Sequence, residues 1–300
     1  MFESILGNEP AKDYLSRAME QGVLAQTLLF SGMEGIGKAL FAREVAAELL
    51  GSKKENHPDY HLVKPEGKSG VFAIETIREM IDESHRAPFE AGRKVFVLED
   101  VERMQAASAN ALLKTLEEPV EDTTFILLTQ APQELLPTIV SRCIHLTFQP
   151  LTEEMISTLL KRAGHPVHWA KMGQGSAGRA FELATNPKIG EQQQILFALL
   201  AGQRREYEKY GDLEKLEELV EDEDPVRMSR GVDHLLALAY MWGRDQCLRE
   251  LGAGPEKLFF PDAPEREGLS LGAWEERIEK ARLAVQRNMR LSTCLDFLVG

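Results

Sequence analysis

The glycine-rich stretch Gly32–Ala39, GMEGIGKA, constrains the fold of this chain more than any other feature. An apolar run, Thr27–Phe30, comes before it, and apolar residues after it have the spacing of a helix from Leu40 to Leu50. Strand, glycine-rich turn and helix, in this order, form the context in which backbone N–H groups and a lysine hold phosphate groups. The predicted phosphate-binding residues are Gly32, Gly35, Gly37 and Lys38.

The eighth position of this loop departs from the pattern of a working nucleotide site. A loop that holds Mg²⁺ has Ser or Thr there, whereas this chain has Ala39, whose side chain has no oxygen. The loop alone leaves two interpretations open. It is either a phosphate site that has lost its metal ligand or a glycine-rich turn that binds nothing.

Strand and helix patterns alternate through the first half of the chain. Apolar runs at 95–98 and 125–128 are typical of buried parallel strands, and apolar spacing predicts helices at 74–84 and 110–118. Such alternation favours a parallel sheet with helices on both faces. The predicted fold class is α/β plus all-α, with an α/β domain over 1–150, a small helical domain over 151–187 and a helical bundle over 188–300.

The charge balance limits how the chain could meet nucleic acid. The formal net charge is −13, so the molecule as a whole should repel a phosphate backbone. The segment 206–224 carries ten acidic residues against two lysines, which we interpret as a solvated helix face followed by a loop. Any contact with DNA therefore requires a local patch or a partner.

Cysteine spacing and hydropathy indicate in which cellular compartment we expect the protein. The three cysteines form no CxxC pair, which indicates neither a disulfide framework nor a cysteine zinc site: Cys143, Cys247 and Cys294. No apolar run reaches membrane-spanning length, and the first residues lack the pattern of a signal peptide. We expect a cytoplasmic protein without a membrane partner.

Four stretches of the chain resemble the clamp-loader branch of the AAA+ ATPases, which serves bacterial DNA polymerase III. They are TLLFSGMEGIGK, VFVLEDVERM, NALLKTLEEP with the following FILLTQAPQELLPTIVSRC, and GSAGRAFELA. The similarity is strong over 2–149, moderate over 150–186 and weaker beyond. It implies an AAA+ P-loop domain with a parallel sheet, a small helical lid and a C-terminal helical collar that joins other subunits.

The resemblance implies roles for residues near the loop. Glu99 and Asp100 lie where the family's ATPases carry Asp and then Glu, the carboxylates that hold Mg²⁺ and polarise water. Their order is reversed here, which displaces both carboxylates in a site that tolerates little misplacement. Thr129 or Gln130 matches the first sensor of the family. Alternatively, Glu99 and Asp100 simply end a strand.

The resemblance also implies roles for two arginines and leaves one lysine open. Arg142, in SRC, matches the arginine that reaches the ATP of a neighbouring subunit, and Arg179 matches the second sensor. The plain alternatives are that Arg142 pairs with a carboxylate at the edge of its own domain and that Arg179 is solvated. Lys114 could contact DNA phosphate or be an ordinary surface lysine.

By this resemblance the chain is a structural and regulatory subunit of the complex that places the sliding clamp on primed DNA. The implied partners are the motor (gamma/tau) and delta subunits, with the clamp and primer-template DNA reached through the complex. The family's motor subunits carry four zinc-binding cysteines after the loop, and this chain has none between 51 and 66. We expect no zinc, no required cofactor, at most weak binding of ATP and Mg²⁺, and no polymerase or ATPase activity of the chain itself.

Two other functions remain open at this point. An active P-loop ATPase, such as the motor subunit or a helicase loader, is favoured by Lys38 and opposed by Ala39 and by the reversed pair Glu99 and Asp100. A nucleotide kinase is a more distant option and gives no reason for SRC. We further expect the collar to bind partners through faces around five leucines: Leu235, Leu238, Leu283, Leu291 and Leu295.

Overall fold

A computed structural model describes residues 2–54, 56–65, 70–221, 225–287 and 289–299 of the chain. The fold divides into two compact units, Met1–Thr185 and Asn186–Gly300. The finer boundary near residue 150, between an α/β domain and a helical lid, stays a prediction. In these described ranges, no helix is long and apolar enough to cross a membrane.

The first unit alternates strands and helices before it ends in three helices. In chain order its elements are α1 (Glu9–Glu20), β1 (Thr27–Ser31), α2 (Lys38–Leu50), β2 (Tyr60–Val63), α3 (Ile74–Ser84), β3 (Lys94–Leu98), α4 (Ala106–Glu117), β4 (Thr123–Thr129), α5 (Pro137–Val140), β5 (Ile144–Thr147), α6 (Glu153–Arg162), α7 (Trp169–Met172) and α8 (Ala177–Thr185).

The five strands form one parallel sheet in the order β2-β3-β4-β1-β5. Leu28 of β1 lies opposite Ile126 of β4 on one side and Ile144 of β5 on the other. Every residue of β1, β3 and β4 is buried, which explains why these central strands read as continuous apolar runs. The predicted parallel sheet and α/β class are confirmed.

Helices cover both faces of this sheet, as the sequence predicted. Alternate residues of each strand point to opposite faces, so Leu28 packs in a core with Phe41 of α2, while Leu29 packs in another with Ile77 of α3 and Leu112 of α4. Two cores on one sheet fix the ends of the strands, where loops can carry polar side chains.

Two helices begin earlier than their apolar patterns predict. Helix α2 begins at Lys38 instead of Leu40, because Gly37 already takes the N-cap position. Helix α4 begins at Ala106 instead of residue 110, with Gln105 as its N-cap. In each case the residues between the observed and the predicted start are small or polar and show no apolar periodicity, so the earlier start could not be predicted from the sequence.

Buried polar groups fix the loop that leads into β3. Asp59 is fully buried, and its carboxylate accepts backbone hydrogen bonds from Phe89 (2.5 Å), Glu90 (2.8 Å) and Ala91 (2.7 Å). Burial alone raises the pKa of Asp59, but these hydrogen bonds, with a smaller contribution from His57, outweigh it and hold the pKa below its ordinary value. The carboxylate thus stabilises 89–91 in one conformation.

The second unit is helical, as predicted. Its helices are α9 (Ile189–Leu200), α10 (Glu206–Val220), α11 (Pro225–Glu250), α12 (Leu271–Gln286) and α13 (Leu291–Val299). The acidic segment forms α10, which buries Leu213 and Leu216; its predicted loop includes 222–224, which lie outside the described residues.

The expected binding face of the helical bundle is wrong for four of its five leucines. These four are buried in the core of their own unit and cannot reach a partner: Leu235, Leu238, Leu291 and Leu295. Only Leu283 among the five keeps a substantial exposed fraction, 42%. Apolar spacing marked the core because a helix buries its apolar face against its neighbours whether or not a partner exists.

Candidate functional site

The glycine-rich loop joins the carboxyl end of β1 to the start of α2, where parallel α/β sheets hold their ligands. Gly32, Gly35 and Gly37 have φ angles of 143°, 74° and 106°, which side chains other than glycine rarely adopt. A Cβ atom on Gly32 would lie 2.6 Å from the carbonyl oxygen of Phe148. The predicted strand–loop–helix is confirmed, and its glycines are required by the backbone.

Lys38, the loop's one lysine, is bound to the loop itself. Its Nζ donates hydrogen bonds to the carbonyl oxygens of Gly32 (2.5 Å) and Met33 (2.8 Å). The side chain is 9% exposed. Burial lowers the pKa of Lys38, opposed by the four carboxylates of Glu102, Asp100, Glu34 and Glu99. The ammonium group therefore braces the turn from inside.

Two of the carboxylates that follow β3, those of Glu99 and Glu102, are engaged elsewhere. Glu99 forms a 2.8 Å ion pair with Lys64, and Glu102 accepts hydrogen bonds from the Thr129 hydroxyl (2.8 Å) and the Gln130 amide (3.3 Å). The sequence missed both Glu102 and Lys64 as site residues. Glu102 could have been recognised as a candidate, because it lies three residues after Glu99, just beyond the end of β3, and the neighbouring strand β4 ends at Thr129.

The start of α8 lies directly on the loop. The Gly178 amide donates a 2.8 Å hydrogen bond to the Gly35 carbonyl oxygen, and a Cβ on Gly178 would lie 2.8 Å from the Gly35 Cα. The buried Ser176 hydroxyl accepts a hydrogen bond from the Arg179 amide (3.1 Å). Arg179 is thereby placed near the loop, in a half-buried position; its role as a second sensor stays a prediction.

These residues do not fit a Mg²⁺–ATP site. Ala39 has no hydroxyl for the metal, and Glu99 is paired with Lys64. Both observed hydrogen bonds of Lys38 go to carbonyl groups of the loop itself. The four carboxylates that act on Lys38 also oppose a polyanion. Over the described ranges, no group of His, Cys, Asp and Glu side chains is placed to hold a metal ion.

Arg142 lies between α5 and β5 with its backbone anchored to β1. Its carbonyl oxygen accepts a 2.6 Å hydrogen bond from the Thr27 hydroxyl. In the guanidinium group, Nη1 donates to the Thr138 carbonyl oxygen (2.7 Å) and Nη2 pairs with the Glu117 carboxylate. The side chain is 29% exposed. In the single chain Arg142 thus makes the carboxylate pair, and its role toward a neighbouring subunit stays a prediction.

Together, the parallel sheet, the glycine-rich loop and the following helices define a P-loop protein of the AAA+ class. A solved structure supports the fold: a DNA polymerase III gamma subunit-related protein from Thermotoga maritima aligns with a TM-score of 0.51 at 20% identity, over 96% of each chain. At this identity the likeness concerns the fold alone.

Sequence comparisons are more specific. Residues 7–152 match the family described as DNA polymerase III, delta subunit. The chain is 34% identical over 196 residues to DNA polymerase III subunit delta′ of Bacillus subtilis, covering 59% of each protein. It is 36% identical over 137 residues to the delta′ subunit of Pseudomonas aeruginosa, covering 40% of this chain and 42% of the relative.

These matches show that the chain is similar, over residues 7–152 and the aligned regions, to DNA polymerase III subunits, delta prime among them. The aligned regions span about half the length of these two relatives. The resemblance that the sequence motifs indicated is confirmed over these regions, and membership of the whole chain in the family stays a proposal. The matches say nothing of Arg142 or of the loop residues individually.

Proposed function

We propose that this chain is a non-motor subunit of a clamp loader, that it assembles with motor and delta-type subunits, and that it supplies Arg142 to the ATP site of a neighbouring motor subunit. The sliding clamp and primer-template DNA would be reached through the complex, in the cytoplasm. Lys114 is exposed and is left without an assigned role.

The position of Arg142 is the observation that carries this proposal. Its backbone is held by Thr27 while its guanidinium group remains partly exposed. A guanidinium group is permanently charged and can bind phosphate oxygens with two N–H groups, which suits the charge that develops in phosphoryl transfer. A loop that does not fit Mg²⁺–ATP agrees with a subunit that acts on a neighbour's nucleotide instead of its own.

The test is to rebuild the complex with Arg142→Ala and to measure ATP hydrolysis stimulated by clamp and primed DNA. The variant should assemble normally, and hydrolysis at the adjacent site should fall by ~10³–10⁵, the range known for arginine fingers. Hydrolysis at the other motor sites should fall less. It can be measured site by site if one motor subunit is mutated at a time. Wild-type hydrolysis in a fully assembled complex would refute the proposal.

An active ATPase is the second candidate, and the preserved Lys38 with its three loop glycines is what favours it. Its test is turnover by the purified chain alone. Hydrolysis at the rate of a motor subunit, abolished by Lys38→Ala, would establish this candidate. We expect no such turnover, because the hydroxyl that holds Mg²⁺ is absent at Ala39.

A further inference from the structure

Glu117, the last residue of α4, is the carboxylate that contacts Arg142. The pair joins the end of α4 to the segment after α5, 25 residues further along the chain. Both side chains are partly exposed, 45% for Glu117 and 29% for Arg142. An exposed pair of this kind contributes little to folding. Stability therefore gives little reason for this contact.

The guanidinium group of Arg142 is oriented by two acceptors on different elements. Thr138 offers its backbone carbonyl to Nη1, and Glu117 offers its carboxylate to Nη2. The third nitrogen, Nε, is buried and has no hydrogen-bond partner among the described residues. Because each terminal nitrogen carries two N–H groups, one N–H on Nη1 and one on Nη2 have no partner in the described part of the chain and can meet an incoming anion.

This arrangement can hold the planar group before its target arrives. A free arginine side chain loses rotamer freedom when it binds, which costs conformational entropy. A carboxylate that already fixes the plane removes part of that cost, while the side chain as a whole stays 29% exposed. Fixed orientation of this kind raises the rate only if the arginine acts in the transition state.

We propose that Glu117 is a positioning residue for Arg142: it holds the guanidinium group in the orientation in which two N–H groups meet the phosphate oxygens of a neighbouring subunit's nucleotide. This inference rests on the proposed function of Arg142 and adds a second residue to it. Glu117 itself does not contact the nucleotide. Its effect passes through Arg142 alone.

The test uses the complete complex rebuilt with Glu117→Ala, Glu117→Gln, Arg142→Ala and the double variant, with stimulated ATP hydrolysis as the measurement. Glu117→Ala should lower kcat at the adjacent site by about 10- to 100-fold, the scale of a 1 Å misplacement. The KM for ATP should stay nearly constant. Glu117→Gln keeps an acceptor oxygen and should recover part of the rate.

The double variant separates positioning from any independent role. If Glu117 acts only through Arg142, the variant that lacks both residues should hydrolyse ATP at the rate of Arg142→Ala alone. Glu118→Ala is the matched control, because it removes the neighbouring exposed carboxylate at the same helix end. That control should keep the wild-type rate, and the melting temperatures of all variants should stay close together.

Three outcomes would overturn the positioning role of Glu117. The first is an unchanged rate of hydrolysis in Glu117→Ala. The second is a higher rate in that variant, which would mean that the carboxylate restrains Arg142. The third is a double variant whose loss of rate equals the product of the losses in the two single variants. The failure of the proposed function looks different: Arg142→Ala itself would then leave hydrolysis at the wild-type rate. The two ideas can therefore fail separately in one set of measurements.

Discussion

Gly178 of α8 donates its backbone N–H to the carbonyl oxygen of Gly35 in the glycine-rich loop, at 2.8 Å. The contact is close enough that a side chain on either residue would collide with the other segment: a Cβ on Gly35 would meet Ser176, and one on Gly178 would meet the Gly35 backbone. Helix α8 is thus joined to the loop directly, backbone against backbone.

Gly178→Ala should weaken this contact. Overpacking a close contact costs about 1–3 kcal/mol, whereas alanine gains at most about 1 kcal/mol over glycine in a helix. We expect a net loss of roughly 1 kcal/mol in the free energy of unfolding and faster hydrogen exchange at the residue 178 amide. Urea unfolding and hydrogen exchange would measure these changes.

Gly92→Ala is the matched control for that variant. Gly92 lies in the same unit, and a Cβ built on it has no described neighbour within 4 Å. Alanine there should be neutral or stabilise by about 0.4–1 kcal/mol, because it restricts the unfolded chain. Equal stability of the two variants would show that the contact between Gly178 and Gly35 tolerates a methyl group.

Lys38→Met should act on stability and leave the complex active. It removes two hydrogen bonds from a charged donor to Gly32 and Met33, which are worth about 1.5–3 kcal/mol each before the cost of burying the charge is subtracted. We expect a net loss of about 1–2 kcal/mol in urea unfolding. Stimulated ATP hydrolysis by the rebuilt complex should be unchanged.

Lys64→Met provides the comparison for Lys38. Lys64 also carries an ion pair, to Glu99, but its side chain is 53% exposed, so its loss should cost less than about 1 kcal/mol. If Lys38→Met is no more destabilising than Lys64→Met and also stops hydrolysis, the loop is a nucleotide site and the bracing role is wrong.

Much of the first unit could be predicted because its signals are local. The central strands show as apolar runs since both faces of the sheet are covered, and the loop shows through glycines that its backbone requires. The strand order could not be predicted, because no short stretch of sequence determines that β4 lies between β3 and β1. Contacts across the sheet, such as that of Glu102 with Thr129, depend on this order.

The positions of the candidate site residues along the chain could be predicted from the sequence. The groups that these residues contact could not. Lys38 was expected to face phosphate. In the chain alone it donates to carbonyl oxygens of the loop, because a buried ammonium group needs acceptors, and its role toward phosphate stays a prediction. Glu117 was not singled out, because its contact with Arg142 depends on where α4 ends relative to α5. Spacing along the chain carries no information about such a pair.

Asp59 should make the first unit sensitive to acid. Its pKa is lowered in the folded chain, so the unfolded chain binds the proton more readily. The stabilisation is therefore fully present above the unfolded pKa of about 3.9 and is lost as the pH falls through the lower folded value. Urea unfolding of the wild-type chain should show stability that declines below about pH 4.

Asp59→Asn should remove this contribution to the pH dependence. The amide cannot accept three backbone hydrogen bonds as the carboxylate does, so we expect a loss of about 3 kcal/mol at neutral pH and a shallower decline in acid. Asp82→Asn removes an exposed carboxylate nearby and serves as the control, with stability within about 0.5 kcal/mol of wild type. An equally steep acid transition in Asp59→Asn would assign the effect to other carboxylates.

Arg142→Lys separates the charge of this side chain from its shape. Lysine keeps the positive charge and can still pair with Glu117, so the free energy of unfolding should change by less than about 1 kcal/mol. It cannot offer two parallel N–H groups to phosphate oxygens, because its ammonium group is a point charge on a flexible chain. Hydrolysis at the adjacent site should therefore fall nearly as far as with Arg142→Ala. The test is to measure unfolding of the isolated chain and ATP hydrolysis by the complex for the same variant. A lysine variant with normal turnover would show that a positive charge suffices and that the two-pronged shape of the guanidinium group has no part in the reaction.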